Sequence, residues 1–155
     1  MSVNSIELVI LRHGEAGNAS SDRERKLTEY GQQQILSQYQ WLTEQGFIPE
    51  VILHSPYQRT VETAFLSKDF FPEIVLQEES LITPDGDPPM VASLIPALGK
   101  KKILLASHMP MVSYLTAQFL PKIDIFSYPV AGLCWLKLNT ENLSAELIHK
   151  HWSII

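Results

Sequence analysis

Four short runs of branched and apolar residues constrain this chain most, because each precedes a stretch with apolar side chains every three or four positions. Ile6–Leu11 has the length and composition of a buried strand, Val51–Leu53 and Ile74–Leu76 read as two short further strands, and Ile103–Ala106 is the most apolar of the four. Thr28 is placed to cap a first helix, with Ile35, Tyr39 and Leu42 on one face and Gly46 and Pro49 to stop it. Pro56 is expected to open a second helix with Val61, Ala64 and Phe65 facing inward. After a turn-rich loop from Thr83 to Pro89, Val91, Leu94, Ile95 and Leu98 line a third helix closed by Gly99. Pro110 opens a fourth, carrying Val112, Leu115 and Phe119. Leu133–Leu138 and Leu143–Lys150 read as two further strands around a turn at Asn139–Asn142. Strand and helix in alternation, ending in a hairpin, predict an α/β sandwich with a mostly parallel sheet and an antiparallel edge. Ligands of such sheets bind beyond the carboxyl ends of the strands.

Composition narrows the function by exclusion. The 155 residues suit one domain, spanning 1–155, and carry a net charge of −5, against the basic excess of a nucleic-acid surface. The single cysteine, Cys134, cannot form an internal disulfide and suits a reducing, cytoplasmic compartment as a buried, inert thiol. No apolar run is long enough to span a membrane, and Ile6–Leu11 lacks the basic flank of a signal peptide.

The chemistry stands at the strand exits. Arg12-His13-Gly14-Glu15 follows the first run, Ser55-Pro56 the second with Arg59 shortly after, and Ser107-His108 the fourth. Two histidines and two arginines thereby reach one edge of the sheet. Guanidinium groups are permanently charged planar forks that match phosphate or carboxylate, so their convergence in an acidic chain reads as a phosphate site. Cations beside His13 disfavour its protonated form, leaving a neutral imidazole able to attack phosphorus once its other nitrogen is tethered. Gly14 allows the backbone to turn closely under that ring. His108 is suited to donate to a phosphoryl oxygen as charge develops. His54, beside Ser55, either props the site or touches the substrate rim. His149 and His151 lack a matching carboxylate or cysteine for a metal, and no metal or cofactor is expected.

These residues resemble a known family. Leu11-Arg12-His13-Gly14-Glu15 is similar to the R-H-G signature of the histidine phosphatase superfamily, the phosphoglycerate mutase-like fold. Ser55-Pro56-Tyr57-Gln58-Arg59-Thr60 with Thr63 resembles its S-P-x-x-R segment, Ser107-His108 its late S-H element, and Leu27-Thr28-x-x-Gly31 its L-T-x-x-G helix start. Within the superfamily the chain resembles the short SixA-type phosphohistidine phosphatases. Asp22-x-x-Arg25-x-Leu27-Thr28 is similar to their D-x-x-R-P-L-T, with Lys26 for proline. Thr83-Pro84-Asp85-Gly86-Asp87 and Ser107-His108-Met109-Pro110 match two further segments. The resemblance implies a three-layer α/β/α sandwich. It also implies a covalent phosphohistidine on His13, a clamp of Arg12, Arg59 and His108, and Arg25 with Ser55 toward the substrate.

Departures from the wider superfamily bear on substrate. Mutases carry asparagine six residues after the nucleophile, where this chain has Ala19, and an acidic proton donor late in the chain. Here only Glu78, Glu79, Asp85 and Asp87 occupy the corresponding short loop, with Glu79 and Asp85 the candidate acids. A phosphohistidine P–N bond depends less on such an acid than a sugar ester does. The expected activity is therefore metal-independent hydrolysis of phosphohistidine on a partner protein such as a phosphotransfer domain. The alternatives are a small-molecule phosphomonoesterase on the same fold and a non-catalytic phosphate-binding module.

Overall fold

In the computed structural model, which describes residues 4–121, 127–142 and 144–153, six strands form one sheet in the order β3-β2-β4-β1-β5-β6. The strands are β1 (Ser5–Arg12), β2 (Val51–His54), β3 (Val75–Glu78), β4 (Lys102–Ser107), β5 (Leu133–Asn139) and β6 (Ala145–His151). The helices are α1 (Glu29–Glu44), α2 (Gln58–Phe65), α3 (Pro88–Ala97) and α4 (Met111–Phe119). β1, β2, β3 and β4 pair in parallel, while β5 runs antiparallel to both β1 and β6, so the antiparallel edge is the whole closing hairpin. Leu143, expected at the head of the last strand, lies outside the described residues.

Strand alternation sends successive side chains to opposite faces and builds two cores. Leu8, Ile10, Ile103 and Leu105 pack with Val91 and Ile95 of α3 and Val112, Leu115 and Phe119 of α4. Val9, Leu11, Ile52, Leu104 and Ala106 face the other way, onto Ile35, Tyr39 and Leu42 of α1 and Ala64 of α2. Helices thus cover both faces of the sheet, as the α/β/α reading requires. β1 and β4 are neighbours, yet the helices that follow them lie on opposite faces. Their exits therefore diverge and leave a crevice between Arg12 and Ser107, which are register partners. His13 N–H donates to the Ser107 carbonyl (3.1 Å) and holds the crevice closed at its base.

Thr28 caps α1 as its sequence predicts, accepting the Gly31 N–H at 2.9 Å. α2 departs from expectation. It starts at Gln58, two residues after Pro56, with Tyr57 extended at its N-cap. Its buried face is Arg59, Thr60, Thr63 and Ala64; Val61 is half-buried and Phe65 is 64% exposed. The reason is polar satisfaction: the hydroxyls of Thr60 and Thr63 bond back to backbone carbonyls, so the helix turns inward with Arg59 toward the strand exits. β3 begins at Val75 rather than Ile74 and forms the other edge of the sheet. Among the described residues no helix is long and apolar enough to cross a membrane.

Candidate active site

His13 is 6% exposed, and its two ring nitrogens have different partners. Arg59 Nε–H donates to His13 Nε2 (3.2 Å), and since a guanidinium only donates, Nε2 must present its lone pair. The ring proton therefore sits on Nδ1, which donates to the Gly14 carbonyl (2.7 Å). This is a neutral imidazole in one tautomer, tethered at the back through Nδ1 and unprotonated at Nε2, where Arg59 covers the lone pair. Its pKa is lowered to about 3, first by burial, against the raising effect of the Gly14 bond, with the charges of Arg59, Arg12 and Arg25 adding to the drop. Burial, more than the cations expected from the sequence, keeps the ring neutral.

Gly14 packs directly on α1. A Cβ there would lie 2.3 Å from the Gly31 carbonyl oxygen, and one on Gly31 would lie 2.1 Å from the Glu15 carbonyl oxygen. Both glycines are required by this backbone-to-backbone approach, which brings the exit of β1 onto the first turn of α1.

Arg59 is 4% exposed, with Nη1 donating to the Asp22 carbonyl (2.7 Å) and Nη2 to the Asp22 carboxylate (3.1 Å). The same carboxylate pairs with Arg25 Nη1 (3.1 Å), whose Nε donates to the Gly17 carbonyl. Slight burial raises the Asp22 pKa, but hydrogen bonds from Arg59 and Arg25 outweigh it and hold the carboxyl below its ordinary value. Arg12 donates from Nη1 to the Tyr128 carbonyl (2.7 Å), and its buried Nε has no hydrogen-bond partner among the described residues. Burial and then Arg59 lower its pKa, the mark of two cations sharing a small space.

His108 completes the cluster, its ring centroid 5.3 Å from that of His13. Its Nε2 meets the Ser55 hydroxyl at 2.8 Å, while Nδ1 is buried without a partner among the described residues. Burial, followed by His13 and Arg59, lowers its pKa to about 2. The Tyr57 ring lies edge-on to His108 (5.1 Å), with the Arg59 guanidinium carbon 5.2 Å from its centroid.

The comparisons with known proteins fall on this arrangement. Residues 8–82 match the family model described as histidine phosphatase superfamily (branch 1). A phosphohistidine phosphatase SixA homolog of Haemophilus influenzae is 32% identical, the match covering 97% of this chain and 98% of that protein. The chain belongs to the histidine phosphatase superfamily. Phosphohistidine phosphatase SixA of Escherichia coli K12 is 34% identical over 75% of each chain. A solved structure of the protein histidine phosphatase SixA complexed with tungstate superposes with a TM-score of 0.88 at 28% identity, covering 96% of this chain and 97% of that one. A mycobacterial glucosyl-3-phosphoglycerate phosphatase, at 16% identity and a TM-score of 0.71, shares the fold.

As a histidine phosphatase the chain is an enzyme, and the fold brings together Arg12, His13, Arg25, Ser55, Arg59 and His108. His54 is buried behind them, its Nδ1 bonded to the Ser55 carbonyl (3.0 Å). Two carboxylates of the candidate-acid loop are engaged with backbone N–H groups. Glu79 accepts the Leu81 N–H, Asp87 caps α3 through the Met90 N–H, and Asp85 is exposed. Among the described residues no three His, Cys, Asp or Glu side chains group as a metal site would need. The site residue whose role is not visible in sequence is Asp22, the carboxylate that joins Arg25 and Arg59. Its spacing of three from Arg25 signalled that pair, but nothing local signalled Arg59.

Proposed function

We propose that this chain hydrolyses phosphohistidine carried on a partner protein, through a covalent phosphohistidine on His13. The observation that supports this reading is the unprotonated Nε2 of His13 held among Arg12, Arg59 and His108. The phosphoryl oxygens recruit guanidinium donors of Arg12 and Arg59, and the Nε2 lone pair attacks phosphorus in line. The Nε2–P bond forms as the substrate P–N bond breaks. A substrate imidazole protonated at its other nitrogen leaves as the neutral ring, so the protein supplies no proton at this step. Water then attacks phosphorus, the Nε2–P bond breaks, inorganic phosphate departs and the lone pair returns to Nε2.

His108 steadies the developing charge from Nδ1. The Ser55 hydroxyl accepts the Tyr57 N–H (3.2 Å) and lies 2.8 Å from His108 Nε2; in the tautomer this role needs, it gives its hydrogen to Nε2 and leaves the Nδ1 proton free to donate. Arg25 sits 35% exposed at the outer side, where it meets the substrate rather than the reacting phosphorus. The engaged carboxylates of Glu79 and Asp87 favour a leaving group that needs no acid. Tungstate, found with a SixA of 28% identity, is a tetrahedral oxyanion shaped like phosphate and supports the same ligand class.

The deciding assay compares a phosphohistidine protein, a phosphohistidine peptide and a panel of sugar phosphates, all with EDTA present. The phosphohistidine protein is expected to turn over fastest, through an acid-labile, alkali-stable phosphoenzyme that His13→Ala abolishes. Faster turnover of a sugar phosphate would assign the chain to small-molecule esters instead. Full turnover by His13→Ala would remove the covalent step.

A further inference from the structure

Gln38 lies in the interior of α1 with 0% exposure, a position where an unpaired amide is costly. Its Nε2 is 2.7 Å from the Ala131 carbonyl and 2.8 Å from the His151 carbonyl, and its Oε1 is 2.7 Å from His151 Nδ1. Two carbonyls on one side demand N–H donors, which fixes the amide orientation and puts a proton on His151 Nδ1. His151 is itself stacked on Trp41 of the same helix, centroids 3.9 Å apart and planes within 9°.

Ala131 is the described non-glycine residue with positive φ, at 61°, a backbone state that L side chains rarely adopt. The segment around it holds the two central residues of the site. Ala131 N–H donates to the His13 carbonyl (2.8 Å), the Gly132 carbonyl accepts the Arg12 N–H (2.9 Å), and the Tyr128 carbonyl accepts Arg12 Nη1 (2.7 Å). One turn of α1 earlier, Gln34 Oε1 accepts the Glu15 N–H (3.0 Å) just beyond Gly14. Buried glutamines at i and i+4 thus brace the segments on either side of His13.

We propose that Gln38 is a positioning residue of this phosphatase: it pins the strained Ala131 turn and through it the Arg12 fork and the His13 backbone. The inference rests on the reading of Arg12 and His13 as the phosphoryl-handling pair. Neither its sequence neighbours nor its place on α1 betrays this role, because its partners lie on the far side of the chain. Small displacements of such a clamp cost rate rather than ground-state binding.

The test is a double-mutant cycle in the full chain between Gln38→Leu and Arg12→Ala, reading kcat, KM and inhibition by inorganic phosphate. Gln38→Leu is expected to lower kcat about tenfold, with KM and inhibition by inorganic phosphate within about twofold of the parent. In the Arg12→Ala background the same change should cost under about threefold, since only the His13 backbone branch of the clamp is then left. Gln38→Glu, which accepts from His151 but cannot donate to Ala131, should fall as far as leucine. Gln38→Met replaces leucine in the cycle if that variant does not fold. Unchanged kcat in Gln38→Leu, or losses that simply multiply in the double variant, would overturn the role. An Arg12→Ala enzyme of full activity would instead overturn the reading of the site on which it rests.

Discussion

The proton inventory of His13 is set by its neighbours: Gly14 takes the Nδ1 hydrogen and Arg59 covers the Nε2 lone pair. With the folded pKa near 3, against about 6.5 for a free histidine, the ring stays neutral throughout the physiological range. His13 and His108 should therefore show no imidazole titration by NMR between pH 8 and 5, and a midpoint near 6.5 for either would refute the burial argument. Linkage gives the sign for stability. The unfolded chain binds these protons below about pH 6.5 while the fold refuses them, so stability is full above that value and lost as pH falls toward 3. Thermal melts should decline across that window, and a His108→Gln variant should flatten the decline. At Arg59 geometry outranks charge. Its Nε, Nη1 and Nη2 serve three different acceptors, so Arg59→Lys should lower kcat/KM by roughly a hundredfold or more although the positive charge remains.

Among the elements, the contact between the β1 exit and the α1 start carries the most consequence. Gly31→Ala puts a methyl group into the Glu15 carbonyl and must separate the two; a loss of about 1–3 kcal/mol in urea melts is expected, with activity falling alongside. Ser55→Ala removes the hydroxyl that orients His108; it should cost about 1 kcal/mol of stability and a larger share of kcat than of KM. α1 was legible because its signals are local: a threonine cap, apolar spacing and a glycine stop. α2 was less so. Its inward face is made by Arg59 and two threonines, polar residues that a periodicity argument assigns to solvent. The cap by Asp87 is readable in principle from an aspartate directly before Pro88. The strand-exit motifs were legible because function is written there in residue types. The supports of Asp22 and Gln38 were not, since only the fold supplies their partners.

For the whole molecule, two cores on opposite faces make a sheet with no wet side at its centre. Leu104 and Leu105 are adjacent, both fully buried, and belong to different cores. Each leucine-to-alanine change should cost about 2–5 kcal/mol by denaturant unfolding. A strand with one solvent face would show the loss at only one of them. The negative charge of the chain and the cationic crevice are compatible because the crevice is small: Asp22 already balances Arg25 and Arg59 from outside. Strand order has a further consequence, in time rather than space. β1 lies between β4 and β5, both later in the chain, so on synthesis it waits for its neighbours until Lys102–Ser107 and then Leu133–Asn139 have followed. A nascent chain bearing Arg12, His13 and Arg59 still lacks His108 and the Ala131 turn. His13 gains its full set of neighbours only once the Ala131 turn has been added.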